Sequence, residues 1–172
     1  MLTVAIVGAG PLGRWLALAA ARAGYSVFLE DVMPSNLHHA REALREQLGP
    51  EALPSVRFVS TLEDAVRQAD LVIDCVPDEL ESKLEILWLL DRMAPPHAVF
   101  ATPTMHLSIA DLASCTYRAA QCIAMVADAR RFAEDEARTM QLRTAPATSQ
   151  ETVALVSSFW GALGFTVDVV TS

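Results

Sequence analysis

Three cysteines in 172 residues, Cys75, Cys115 and Cys122, are odd in number and form no C-x-x-C pair. They give neither a disulfide framework nor a zinc signature, and they read as reduced thiols filling core space in a cytoplasmic protein. No H-x-x-x-H spacing or carboxylate cluster suggests a metal. No serine sits in a nucleophile-elbow context. No apolar run reaches the ~20 residues that span a bilayer; the closest, 12–23, is interrupted by Arg14 and Arg22. Met1 leads straight into a strand with no basic n-region, so no signal peptide is expected. Basic charge is the scarce sign: 13 Lys+Arg face 21 Asp+Glu, for a net −8, and Arg130–Arg131 is the only adjacent basic pair. That balance argues against nucleic acid as a partner, because displacing counterions needs a basic face.

What the chain has in quantity is apolar residues, 52% of the total against 20% charged, enough to bury a sizeable core. Its length fits one domain, taken as 1–172. Short Val/Ile-rich runs predict strands at 3–7, 26–30, 56–59, 70–75, 98–101, 121–126, 139–143 and 166–170. Helices are expected at 11–23, 35–48, 62–68, 79–93, 108–114 and 149–163. The last begins at "TSQETV", where Thr148 or Ser149 can cap it, and Gly164 suits its end. This alternation predicts an α/β, doubly wound, mostly parallel sheet of the Rossmann type with helices on both faces. Only 127–138, "ADARRFAEDEAR", looks like a linker.

The stretch "VAIVGAGPLGRWLALAAARAGYSVFLEDV" runs strand, glycine turn, helix, strand, acid. Gly8, Gly10 and Gly13 fit G-x-G-x-x-G. The first glycine allows the tight turn, the second lets a pyrophosphate approach the backbone, and the third lets helix and strand pack closely. Free N–H groups at the helix start then face the phosphates. Pro11 suits the first turn, and Ala9 and Leu12 complete the cofactor-side turn. Asp31, eighteen residues after Gly13, can accept the adenosine ribose hydroxyls and would repel a 2′-phosphate, so NAD is expected over NADP. A helix cap or a solvated strand end is the plain alternative for Asp31. Glu30 should point to the opposite face.

Four segments in order carry a resemblance: the glycine stretch, "LEDAVRQADLVIDCVPDELESK", "VFATPTMHLSIADLA" and "TAPATSQETVALVSSFWGALGFTV". The chain resembles the NAD-binding domain of the 3-hydroxyacyl-CoA dehydrogenases. The resemblance implies Val76, Pro77 and Asp78 beside the cofactor at a strand end, Lys83 reaching it from helix 79–93, and Thr102 on the cofactor side after the fifth strand. An exposed helix lysine is the alternative for Lys83. It also implies an acyl-CoA-like or other small substrate.

The departures from that family concern its chemistry. Where the family carries Asn-Thr-Ser-Ser after the fifth strand, this chain has Pro103, Thr104, Met105 and His106. The family's catalytic His position falls on Val126, its following Asn-Pro on Ala129 and Arg130, and the Glu that orients the His on Gln141. Oxidising a hydroxyl carbon needs a base with a near-neutral pKa, and neither Val nor Gln supplies one. The family's helical extension between the second and third strands and its C-terminal helical domain have no counterpart in the sequence. No catalytic residue is therefore assigned. Three readings stay open: a nucleotide-binding protein inactive alone, an oxidoreductase on a smaller substrate using His106, or a subunit completed by a helical partner. Helix 149–163 presents two apolar stripes, one with Val153, Val156, Trp160 and Leu163, the other with Leu155, Phe159 and Ala162. A homo-oligomer or helical partner is expected to cover them, unless Trp160 packs into the chain's own core.

Overall fold

The computed structural model describes residues 1–128, 130 and 138–171 of the 172. They form two compact units, Met1–Cys75 with Met93–Ala98, and Val76–Arg92 with the chain from Val99. Of the linker-like stretch 127–138, residues 129 and 131–137 lie outside the described residues.

The first unit runs β1 (Thr3–Val7), α1 (Pro11–Arg22), β2 (Ser26–Glu30), α2 (Pro34–Gln47), β3 (Val56–Val59), α3 (Leu62–Val66) and β4 (Leu71–Asp74). The strand order is β3-β2-β1-β4 and all the pairings are parallel. Parallel strands are covered on both faces, which is why β1, β2 and β4 read as nearly unbroken apolar runs and are almost wholly buried. The inner side of α1 is Gly13, Leu16, Ala17, Ala20 and Ala21, mostly small residues that let the helix lie close to the strands. Gly24, at φ +92°, releases the chain from α1 into β2. The second helix starts at Pro34 rather than at 35, since a proline costs nothing at the first helical position. Asp70 ties the far end of the sheet: its carboxylate accepts the Thr3 N–H at 2.8 Å and meets His97 Nε2 at 3.0 Å.

The second unit contains α4 (Leu80–Met93, all but its last residue), β5 (Val99–Pro103), α5 (Ile109–Ala113), β6 (Cys122–Met125), β7 (Thr139–Thr144), α6 (Gln150–Ala162) and β8 (Thr166–Thr171). Its order is β5-β6-β7-β8, with β5–β6 and β7–β8 parallel and β6–β7 antiparallel. The expected class, α/β with a mostly parallel Rossmann-type sheet, is the one observed. Ser149 caps α6 by accepting the Thr152 N–H at 3.2 Å, and Gly164, at φ +89°, follows its end. A buried ion pair braces this unit. Arg118 Nε lies 2.6 Å from Asp91 Oδ1, the guanidinium lies over the Phe100 ring, and the other Asp91 oxygen accepts the Tyr117 N–H.

The structure corrects the expectation for helix 149–163. Trp160 has no exposed surface, its indole N–H points at Met125 Sδ at 3.0 Å, and its ring packs edge-on against Phe159 and Phe165. Val156, Phe159 and Leu163 are buried with it. Both stripes are largely used inside this unit, so Trp160 is not the centre of an open face. Sequence periodicity measures the width of an apolar surface and not what covers it.

Candidate functional site

The glycine turn has the geometry a dinucleotide needs, and each of its glycines is required for a different reason. Gly8 sits at φ +102°, and a Cβ there would come 2.8 Å from the Cys75 carbonyl oxygen. A Cβ on Gly13 would lie 1.8 Å from the Gly8 carbonyl oxygen. The third glycine thus lets the helix close directly on the first. Gly10 is different. Its φ of −73° suits any residue, and nothing stands within 4 Å of where its Cβ would be. Its smallness serves nothing inside the chain and keeps open the approach to the N-terminus of α1. That open approach and the unpaired N–H groups of the first turn fit a pyrophosphate.

Asp31 stands just past β2 and organises the same turn. Its Oδ2 accepts the Ala9 N–H at 2.9 Å and the Asn36 side-chain amide at 3.2 Å, while Oδ1 accepts the Met33 N–H at 2.8 Å. The carboxylate holds both the glycine turn and the loop that leads into α2, whose N-cap, Met33, has no side-chain cap bond. Next to it, Glu30 is buried, and its backbone carbonyl accepts the Gly8 N–H at 2.8 Å. Burial, with the neighbouring Asp31 charge second, pushes the Glu30 carboxyl up to about 7.

The remaining cofactor-side candidates lie in the second unit. Val76 is half-buried, Pro77 and Asp78 are exposed, and Thr102 is buried in β5. Lys83 is 1% exposed, which excludes the alternative of a solvated lysine. It lies with Leu87 and Leu90 on the inner stripe of α4. Asp78 has a task the sequence did not reveal. It accepts the Thr104 hydroxyl at 2.5 Å and the Met105 N–H at 2.8 Å. The Thr104 hydroxyl in turn accepts the Leu107 N–H at 3.0 Å. The turn after β5 is therefore pinned, and His106 stands exposed on it.

The two positions to which the resemblance assigns acid–base chemistry, Val126 and Gln141, do come together. The Val126 N–H donates to the Gln141 carbonyl at 2.9 Å where β7 runs back along β6. Side chains alternate along β7: Met140, Leu142 and Thr144 are buried on one face, and Thr139, Gln141 and Arg143 are half-buried on the other. Ala124 pairs with Arg143, so Val126, Gln141 and Arg143 share one face of this ribbon. Arg143, missed in the sequence, reaches the Thr104 carbonyl with Nη2 at 3.2 Å. Ala129 and Arg131 lie outside the described residues; Arg130 is exposed.

Residues 3–170 match the family described as 3-hydroxyacyl-CoA dehydrogenase, NAD binding domain. The chain belongs to this family. It is the family's NAD-binding domain, and NAD is its cofactor. A probable 3-hydroxybutyryl-CoA dehydrogenase of Bacillus subtilis is 31% identical over 135 residues, covering 71% of this chain and 47% of that protein. The 5-formyl-3-hydroxy-2-methylpyridine 4-carboxylate 5-dehydrogenase of Mesorhizobium japonicum is 34% identical over 120 residues, covering 63% and 38%. The chain thus spans about half, or less, of the length of these relatives. Among solved structures, a 3-hydroxyacyl-CoA dehydrogenase of Archaeoglobus fulgidus superposes with a TM-score of 0.83 at 28% identity, covering 100% of this chain and 57% of that one. A diketoreductase gives 0.86 at 27% identity, covering 99% and 64%.

No group of three or more His, Cys, Asp or Glu among the described residues could hold a metal ion. The three cysteines are not joined in disulfides, and burial pushes the Cys122 thiol up to about 11. No described helix is long and apolar enough to cross a membrane.

Proposed function

We propose that this chain binds NAD(H) in preference to NADP(H) and does not by itself carry out the family's oxidation of a 3-hydroxyacyl-CoA. The glycine turn would take the pyrophosphate and Asp31 the adenosine ribose. Val76, Pro77, Asp78, Lys83 and Thr102 are proposed beside the cofactor by resemblance, and the face carrying Val126 and Gln141 for the substrate side. One observation carries the negative half of the proposal. The backbone bond from Val126 to Gln141 joins the two positions to which the resemblance assigns the family's base and its orienting acid, and neither side chain can take a proton at neutral pH. Losing a general base costs roughly 10²–10⁴-fold in rate.

A second reading is favoured by the range of relatives, which includes a dehydrogenase named for a pyridine carboxylate and a diketoreductase. It is an oxidoreductase acting on a smaller substrate, with the exposed His106 as its proton donor or acceptor. Titration with NADH and NADPH tests cofactor preference; tighter binding of NADPH contradicts the role given to Asp31. A steady-state assay with acetoacetyl-CoA and NADH tests the rest. Family-level turnover that survives His106→Ala refutes the loss of catalysis, and turnover abolished by that change favours the second reading.

A further inference from the structure

The face to which the resemblance assigns the family's proton-transfer pair carries a cation, and no base at Val126 or Gln141. Arg143 shares that face with Val126 and Gln141 and is half-buried there. One Nη2 proton is fixed on the Thr104 carbonyl. Its Nε is buried and has no hydrogen-bond partner among the described residues. No carboxylate of the described residues forms an ion pair with it, in a chain whose net charge is −8. The carboxylate in the same network, Asp78, is committed to Thr104 and Met105. By contrast Arg118, a buried guanidinium of the same unit, has Asp91 as its counter-ion. A guanidinium is always charged and presents a flat fork of donors shaped for a carboxylate. Holding one half-buried without a counter-ion is costly unless an anion comes to it.

We propose that Arg143 is the recognition residue for a ligand carboxylate, and that this site takes a small free oxo- or hydroxy-acid in place of a neutral thioester. The inference rests on the reading of the Val126–Gln141 face as the substrate side. The bond to the Thr104 carbonyl orients the guanidinium, and Asp78 steadies Thr104 through its hydroxyl. Val126 and Gln141, which share that face, carry no charge of their own.

The test compares a charged probe with its neutral twin on the 172-residue chain. Acetoacetate and methyl acetoacetate are titrated by calorimetry, with and without saturating NADH, and NADH is titrated alone in parallel. Acetoacetate is expected to bind about tenfold or more tighter than the ester, the scale of one charge-assisted hydrogen bond. Arg143→Gln is expected to erase that preference and leave NADH affinity unchanged, while Arg143→Lys keeps part of it. Equal binding of acid and ester by the unmodified chain overturns the proposal whether or not any variant folds. So does undiminished acetoacetate binding in Arg143→Gln, or no acetoacetate binding by a chain that binds NADH normally. Failure to bind NADH refutes the cofactor reading instead, and the acid-against-ester comparison without NADH still decides the role of Arg143.

Discussion

Gly10→Ala separates binding from folding. The backbone at Gly10, φ −73° and ψ −170°, is open to alanine, and the new methyl meets nothing within 4 Å. Two small terms then act on the free protein. Alanine reduces the entropy of the unfolded chain, a gain of about 0.4–1 kcal/mol. Gly10 is also the N-cap of α1, where alanine is a poorer choice than glycine, a loss of a few tenths to about 1 kcal/mol. They nearly cancel, leaving a net change within about 0.5 kcal/mol, or roughly 2 °C in melting temperature for a chain of this size. Binding has no such compensation. The methyl occupies the approach to the first turn of α1, and each N–H bond lost to a charged phosphate oxygen costs about 1.5–3 kcal/mol. Since 1.4 kcal/mol is about tenfold in affinity, NADH binding should weaken by at least about tenfold. Calorimetric titration with NADH and a thermal melt of the same sample make the measurement. Unchanged affinity in a folded variant would refute the assignment of Gly10 to the phosphate, and a large fall in melting temperature would refute the claim that the site is open.

Gly13→Ala should do the reverse, because its Cβ would sit 1.8 Å from the Gly8 carbonyl oxygen and α1 must move off the turn; a loss of about 1–3 kcal/mol or more is expected, read as a lower thermal midpoint. Asp91→Ala strands the Arg118 guanidinium in a buried setting and should cost about 3–5 kcal/mol in urea unfolding, with Asp91→Leu/Arg118→Met recovering much of it; equal losses in single and double variants would argue against an uncompensated charge as the cause. Glu30, whose folded-state carboxyl is raised from an ordinary value near 4.5 to about 7, holds its proton more tightly folded than unfolded. Its ionisation therefore removes stability as pH rises through that interval, so Glu30→Gln should match the parent at pH 4.5 and gain on it up to about pH 7, levelling above; a difference independent of pH in thermal melts would contradict this.

The strands at 3–7, 26–30 and 56–59 and the glycine turn were legible because their signals are local: apolar runs between turn residues, and glycines spaced for a helix start. Lys83 was legible in principle, since Lys83, Leu87 and Leu90 fall at i, i+4 and i+7, the stripe that α4 buries. Charge hid the period. Trp160 was not legible, because its partner Met125 is 35 residues away and no single-helix pattern registers such a partner. The tie between Asp78 and Thr104 spans 26 residues, and the reach of Arg143 to the Thr104 carbonyl spans 39. The sequence could show that Gln141 and Arg143 share a face by alternation, but not that Arg143 would have no counter-ion among the described residues.

The burial of Trp160 has a practical consequence. The chain has three tryptophans, Trp15, Trp88 and Trp160. Trp15 is half-buried on α1 in the first unit, Trp88 is exposed on α4 with Arg92 over its ring, and Trp160 is sealed among Met125, Phe159 and Phe165 in the second. An indole shielded from water emits at shorter wavelength than one in contact with it, so Trp160 supplies a blue component that shifts red when the second unit opens. With Trp88 changed to Phe, the two remaining fluorophores sit one in each unit, and the melting of each can be followed by its own colour of light without attaching a dye.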